Sequence, residues 1–277
     1  MIELGKYNTL QVLREIDFGF YLGDEIGNDI LLPRKWATPN LAIDDFISVF
    51  VYLDHEERPI ATTMTPKIIL GEFNYLKTKD VSNVGAFMDW GLEKDLLVPF
   101  KNQPKKFEQD RWYCIYLYID SETNRLVGTA RNNSLLNQVE PEYTLGDKVE
   151  VLVCEDTEIG VNVIIDNKFK GLIYHSDIFN NIQRGDKTVG YIKKPREDGK
   201  LDVSLEPIGI ERFEVNAQKI LDYLTKNDGK ISLTDKSEPE DIYSQLQMSK
   251  KIFKASLGLL YKAKKIILNK ESTELLK

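Results

Sequence analysis

One spacing constrains this chain more than any other feature of its sequence. A glycine is followed fourteen residues later by a second glycine, and this happens three times, at Gly5 and Gly19, Gly71 and Gly85, and Gly146 and Gly160. Self-similarity at a fixed period indicates that one supersecondary unit is built several times along the chain. The sequence therefore predicts three copies of one structural unit.

The residues after the second glycine repeat as well. Counted without gaps from that glycine, each unit reaches a matching short run, namely Leu31-Leu32-Pro33, Leu97-Val98-Pro99 and Leu172-Ile173-Tyr174. Each unit then ends with an apolar run, and a basic residue stands at the start of that run, namely Arg58, Arg125 and Lys200. The repeat is thus a unit of roughly 65 to 75 residues with a defined beginning and end.

Each unit predicts five short β-strands. Runs of β-branched and aromatic residues alternate with turn residues such as Gly27-Asn28-Asp29 and Glu93-Lys94-Asp95. A longer irregular stretch separates the third and fourth runs, at residues 34–45, 100–110 and 176–186. This pattern favours a small closed barrel over a propeller blade or a sandwich. We place the three barrels at residues 1–65, 66–141 and 142–207.

After Pro207 the apolar periodicity changes from two residues to about 3.6, which is typical of helices. A first helix with a short strand after it is followed by a second helix, for which Ser237 and Glu240 have capping-box spacing and Pro239 an early helical position. Ser249 is predicted to cap a third helix, and a two-stranded ribbon ends the chain. Helix, strand, helix, helix and hairpin is the order of a winged helix, which we place at residues 208–277.

Two stretches carry a family resemblance, one from Asp17 to Leu22 and one from Gly160 to Tyr174. They resemble the strand signature of the S1 domain, the OB-fold RNA-binding module named after ribosomal protein S1. The first two units depart from the signature, because Pro33 and Pro99 occupy the position of the family's histidine. Three S1-like units followed by a winged helix resemble the conserved virulence factor B family of bacterial RNA-binding regulators. The resemblance implies a mainly β protein of three tandem OB-fold barrels with a small α+β end.

The resemblance also implies which residues would contact RNA. A sequence-tolerant binder stacks bases on aromatic rings and places cations along the phosphate path. Carried over to this sequence, the positions are Phe18, Tyr21 and Arg58 in the first unit, Phe87 and Arg125 in the second, and Tyr174 and Lys200 in the third. Val84, Ile159 and Asn162 stand where further aromatics are expected. The alternative is that some of these rings are barrel core and that the arginines are solvated turn charges.

Charge refines where RNA would lie. The whole chain has a net charge of −7, which argues against unspecific polyanion binding. The four predicted segments carry −6, 0, −4 and +3 in chain order. Within the third segment four basic residues cluster, at Lys193, Lys194, Arg196 and Lys200. We therefore expect the RNA path on the second and third barrels and the C-terminal domain, with the acidic first barrel as a scaffold.

The predicted third helix is a further basic segment. It carries Lys250, Lys251, Lys254 and Lys262, and Lys264 and Lys265 follow, with no acidic residue before Lys270. This run is either a solvated helix face or a surface that contacts phosphates. Base-edge recognition is not expected, because the helix has no Arg, Asn or Gln for bidentate contacts.

The motifs of catalysis are missing from the sequence. It contains no GxSxG, no phosphate-binding GxxxxGK[ST] loop, no GxGxxG and no HExxH. We therefore expect a non-catalytic protein without cofactor or metal, and the absence of a long apolar run predicts no membrane span. Two cysteines without CxxC spacing suit a reducing cytoplasm. The leading hypothesis is a regulator that binds single-stranded RNA, with two alternatives: a transcription regulator that binds DNA through the winged helix, and a protein–protein adaptor.

Overall fold

A computed structural model describes residues 1–179, 181–196 and 199–276, including all of their side chains except those of Asn133, Ile210 and Glu211. The described part is mainly β, with three five-stranded sheets followed by a winged helix. The predicted fold class is confirmed.

Barrel 1 is a closed five-stranded sheet. Its strands are β1 (Tyr7–Ile16), β2 (Gly19–Gly23), β3 (Asp29–Pro33), β4 (Phe46–Leu53) and β5 (Pro59–Thr62). They are hydrogen-bonded in the order β1-β2-β3-β5-β4, and the sheet closes where β1 pairs with β4. β3 and β5 run parallel, with Leu31 opposite Ile60. Alternate side chains such as Val12, Leu22 and Leu32 are fully buried inside.

Barrel 2 has the same strand order but does not close its hydrogen-bonded ladder. Its strands are β6 (Phe73–Val81), β7 (Gly85–Asp89), β8 (Leu96–Pro99), β9 (Trp112–Ile119) and β10 (Leu126–Thr129), and the sheet order is β10-β9-β6-β7-β8. In place of a β8–β10 ladder, the buried Asn102 bridges the gap. Its side-chain amide donates to the carbonyl of Gly128 at 3.0 Å, and its own carbonyl accepts from Ala130 at 2.9 Å. The prediction of a fully closed barrel is thus corrected here to a nearly closed one.

Barrel 3 closes in the same way as barrel 1. Its strands are β11 (Lys148–Asp156), β12 (Gly160–Ile165), β13 (Phe169–Tyr174), β14 (Lys187–Pro195) and β15 (Leu201–Ser204). The order is β11-β12-β13-β15-β14, with Gly171 opposite Leu201 in the parallel pair. Its core is rich in β-branched residues, as expected for strands that pack on a small interior.

The repeated second glycine has the same physical cause in all three barrels. Gly19, Gly85 and Gly160 lie opposite Pro33, Pro99 and Tyr174 in the hairpin of the second and third strands. A β-carbon at Gly160 would lie 2.2 Å from the carbonyl oxygen of Ile173, and the corresponding distances in the other barrels are 2.2 and 2.4 Å. No side chain fits at that distance. Only glycine therefore allows the backbones of the second and third strands to approach this closely at that position.

The C-terminal domain is a winged helix of three helices and a small sheet. Its elements are α1 (Ile210–Lys226), β16 (Lys230–Ile231), α2 (Pro239–Leu246), α3 (Lys250–Lys262), β17 (Ile266–Leu268) and β18 (Thr273–Leu275). The sheet order is β16-β18-β17. Ile220, Ile242 and Phe253, one from each helix, are fully buried in a common core. This matches the predicted order of elements.

The two predicted helix caps have different outcomes. The hydroxyl of Ser249 accepts a hydrogen bond from the N–H of Ile252 at 3.3 Å, so this cap is confirmed. Ser237 does not cap α2, because its hydroxyl accepts from the N–H of Thr234 instead. Pro239 is the first residue of α2, which suits a residue without an N–H.

The chain divides into two compact units, Met1–Leu136 and Asn137–Lys277. Within the first unit barrels 1 and 2 share one core, since Phe50 and Tyr52 of β4 both pack their rings against Trp90. Burial raises the pKa of Tyr52 to about 12, and nearby carboxylates add to this shift. Within the second unit Phe179 packs against the winged-helix core.

We propose the predicted boundaries, after residues 65, 141 and 207, as the domain boundaries. They separate the strands of one sheet from those of the next. Because barrels 1 and 2 share one core, however, the boundary after residue 65 does not separate two hydrophobic cores.

Two glycine substitutions test the account of the repeat. Gly160→Ala forces the β12–β13 backbones apart, and we expect it to lower the free energy of unfolding by about 2–4 kcal/mol. Gly258→Ala is the matched control, because a β-carbon in the middle of α3 meets no atom within 4 Å. It should raise stability by up to about 1 kcal/mol. Urea unfolding followed by circular dichroism measures both, and equal stabilities of the two variants would contradict the account.

Candidate nucleic-acid interface

Each barrel presents one aromatic ring on the outer face of its second and third strands. Tyr21 and Phe87 both lie two residues after the repeated glycine, and their neighbours on either side are buried in the core. Because side chains alternate along a strand, these two rings point outward. Tyr174 lies opposite Gly160 on the corresponding face of barrel 3. All three rings are half-buried, as expected for a platform that keeps one side accessible.

In barrel 1 the cations near this face already have partners. The guanidinium of Arg14 covers the ring of Tyr21, at 3.9 Å from its centre, and pairs with Asp29 at 2.9 Å. Phe18 lies in the turn before β2 and is 63% exposed, so it remains accessible.

Arg58, the cation that the resemblance implies for barrel 1, is held by two carboxylates. It donates to Asp54 through Nε at 3.0 Å and Nη2 at 2.8 Å, and it pairs with Glu56 at 2.8 Å. Burial opposes ionisation of Asp54, but hydrogen bonds from Arg58 and Glu56 outweigh it and lower the pKa of that carboxyl group. A phosphate would have to displace both carboxylates from Arg58.

In barrel 2 the two predicted residues lie in one cleft. Phe87 and Arg125 line a cleft of about 240 Å³ together with Trp90, Lys94 and Glu57. Glu57 reaches there from the β4–β5 turn of barrel 1. Its carboxylate accepts from Lys94 at 2.8 Å and lies 3.2 Å from Nε of Arg125.

Sequence reasoning missed Lys94 and Glu57. The sequence pattern places Lys94 only in the turn Glu93-Lys94-Asp95 and does not single out Glu57. Their meeting depends on how barrel 1 packs against barrel 2, and the spacing along the chain gives no signal of it.

In barrel 3 two of the predicted cations lie near the ring of Tyr174. Arg196 donates from Nη1 to the hydroxyl of Tyr174 at 3.2 Å, and Nζ of Lys193 lies 6.0 Å from the ring centre. Lys193 also pairs with Asp177 at 2.7 Å, so a phosphate would compete with that carboxylate.

A shallow groove lies on the same barrel. It is lined by Ile159, Asn162, Arg196 and Lys200, among others. Ile159 and Asn162 are the positions where the resemblance led us to expect aromatics. Lys194 is exposed on β14. The barrel 3 face therefore combines one aromatic ring with several cations.

The winged helix carries a different kind of basic surface. Lys251, Lys254 and Lys262 are exposed on α3, opposite the buried Phe253 and Leu257. Among the residues that the structure describes, none of these three ammonium groups has a carboxylate oxygen within 4.0 Å. We call these three residues the α3 lysine stripe. Its positive charge is not compensated locally, in contrast to most of the barrel cations.

Two other residues of α3 lie beside the α3 lysine stripe and differ from its lysines. Lys250 is half-buried at the start of α3, where its Nζ lies 3.5 Å from the carbonyl of Lys236. Tyr261 is 58% exposed between the lysines and was missed in the sequence. The signal was present, since residue 261 lies seven positions after Lys254 and so on the same helix face.

Comparison with known proteins agrees with this architecture. Residues 4–64 match the S1 domain model and residues 218–275 match the model of the CvfB-like winged helix domain. The chain thus combines S1-type OB-fold barrels with a winged helix, both of which are nucleic-acid-binding modules. None of the described helices is long and apolar enough to cross a membrane.

Bacterial relatives are similar to this chain over most of its length. The chain is 29% identical over 272 residues to YitL from Bacillus subtilis, covering 95% of this chain and 90% of that protein. It is 28% identical over 232 residues to conserved virulence factor B from Staphylococcus aureus strain USA300, covering 81% and 77%. The predicted resemblance to the conserved virulence factor B family is confirmed.

Among solved structures, the following example aligns with nearly all of the chain. It is a multidomain protein with nucleic acid binding domains from Streptococcus pneumoniae, 26% identical, with a TM-score of 0.40 and coverage of 99% of this chain and 98% of that one.

Proposed function

We propose that this protein is a non-catalytic regulator that binds single-stranded RNA through its S1-type barrels, with the α3 lysine stripe as a further contact to the phosphate backbone. The observation that carries the proposal is the Tyr174 site of barrel 3. There an outward-facing ring has Arg196 at its hydroxyl and Lys193 near its face. Stacking on a ring beside cations is how OB-folds bind single strands with little sequence preference.

The other predicted positions are assigned within this proposal as follows. Phe87 and Arg125 form the barrel 2 site, Lys194 and Lys200 extend the barrel 3 site, and Lys250 begins the basic helix. Phe18 and Tyr21 are the barrel 1 positions, where the cations are occupied by carboxylates. We therefore keep barrel 1 as a scaffold in the proposal.

A second candidate function is binding of duplex DNA through the winged helix. The uncompensated α3 lysine stripe favours it, because phosphate contacts are sequence-independent and a helix of this kind fits beside a duplex. The stripe contains no side chain suited to reading base edges. Such binding would therefore depend on the backbone alone.

Nucleic-acid preference separates the two candidates. We expect the full chain to bind single-stranded oligouridine more tightly than duplex DNA of similar length, because rings on the barrels stack on unpaired bases. Affinity should fall as salt rises. Fluorescence anisotropy titrations with both ligands measure this, and tighter binding to the duplex would favour the DNA-binding candidate.

The barrel 3 ring should supply stacking energy. Tyr174→Ala is expected to cost about 1–3 kcal/mol of binding to single-stranded RNA. Arg58→Ala is the control, because two carboxylates already hold this arginine. Anisotropy gives the affinities and thermal melting checks that both variants are folded. If the two substitutions were equally damaging, barrel 1 would be a binding unit and the charge argument would be wrong.

The α3 lysine stripe should act through phosphates. Lys251→Glu combined with Lys254→Glu should weaken binding to all sequences alike and reduce the slope of log affinity against log salt by about 1.4, which is about 0.7 for each lost contact. Lys226→Glu, an exposed lysine at the end of α1, is the comparison and should have little effect. An unchanged salt slope in the double variant would remove the winged helix from the proposed interface.

A further inference from the structure

Among the described residues, the turn before the last strand of each barrel contains a residue in the left-handed region of backbone conformation. These residues are Glu57 with φ of 63°, Asn124 with φ of 54° and Gly199 with φ of 75°. The turns of barrels 1 and 3 share one backbone hydrogen bond, from the N–H of Asp54 to the carbonyl of Arg58 in barrel 1 and from the N–H of Arg196 to the carbonyl of Lys200 in barrel 3. The three barrels therefore provide an internal comparison at one structural position.

Barrel 1 has the residue type least suited to this position. Glycine and asparagine adopt positive φ readily, whereas a longer side chain does so at a conformational cost. A strained backbone that persists where a better residue is available indicates that the side chain itself is used. The side chain of Glu57 therefore needs an explanation beyond the turn.

The carboxylate of Glu57 leaves its own barrel and enters the cleft of barrel 2. It accepts from Nζ of Lys94 at 2.8 Å and lies 3.2 Å from Nε of Arg125, beside the outward ring of Phe87. The other acidic group in the cleft lining, Asp95, is paired with Lys79 at 3.0 Å. Glu57 is therefore the carboxylate that faces both cations.

This is the position that an RNA phosphate would take in barrel 2. A phosphate is also an oxyanion, and an arginine and a lysine beside an aromatic ring are the groups that recognise a nucleotide. We propose that Glu57 is an internal competitor, which occupies the phosphate site of Lys94 and Arg125 until RNA displaces it. This inference rests on the proposed function and adds a level of control to it.

Single-stranded RNA therefore reaches Lys94 and Arg125 only after the carboxylate of Glu57 has moved. A residue of barrel 1 controls access to the cations of barrel 2.

Removing the charge of Glu57 tests the inference. Glu57→Gln should raise the affinity of the full chain for single-stranded oligouridine roughly threefold to tenfold at low salt. The plot of log affinity against log salt should become steeper by about 0.7 for each phosphate gained. Glu57→Asn, which copies the residue of barrel 2, should show the same gain and fold at least as well.

Two control variants isolate the competitor role. Glu93→Gln removes another ion pair between barrels 1 and 2, the one with Lys35, and should leave affinity unchanged. Adding Arg125→Ala to Glu57→Gln should abolish the gain.

If the wild-type chain binds oligouridine and neither Glu57 variant gains affinity, Glu57 only joins the two barrels and the inference is wrong. A lower melting temperature with unchanged affinity leads to the same conclusion. If neither the wild-type chain nor the Glu57 variants bind oligouridine, the proposed function fails and this inference fails with it. Binding by the variants alone would support both.

Discussion

The close approach of two strands at a glycine underlies the rest of this structure. In every barrel the second strand begins at a glycine whose missing β-carbon admits the carbonyl oxygen of the facing strand. That contact fixes the register of the hairpin, and register decides which side chains face the core. Tyr21, Phe87 and Tyr174 reach the outer face because of it. A one-residue slip would bury these rings and expose their apolar neighbours.

Charge pairing then distinguishes surfaces that look alike in composition. Barrel 1 is rich in ionic groups, but its arginines are bound to carboxylates of the same barrel. The lysines of α3 have no such partners among the described residues. Surface ion pairs contribute little to stability, yet they determine which cations a phosphate meets without competition. The ion-pair partners of the basic residues therefore indicate which surface can bind phosphate better than the number of basic residues in each domain does.

The sequence allowed the fold to be predicted because each barrel repeats its own local signals. Strand order, helix order and the Ser249 cap follow from spacing and residue type within short segments. Two features escaped prediction because they depend on contacts far apart in sequence: Asn102 replaces a missing ladder in barrel 2, and Glu57 reaches the cations of another barrel. A third is a local alternative, since the hydroxyl of Ser237 accepts from the N–H of Thr234 instead of capping α2. The sequence allowed us to predict that Phe87 and Arg125 belong to one site, but it did not predict the carboxylate of Glu57 between Arg125 and Lys94.

The shared core of barrels 1 and 2 has a consequence for how the array can evolve. Trp90 packs against Phe50 and Tyr52, so part of the interior of barrel 2 is supplied by its neighbour. Loss of the acidic barrel from a gene would leave these apolar groups in water, and the remaining protein would be prone to aggregate. Barrel 1 therefore keeps apolar groups of barrel 2 out of water, whatever its own surface binds.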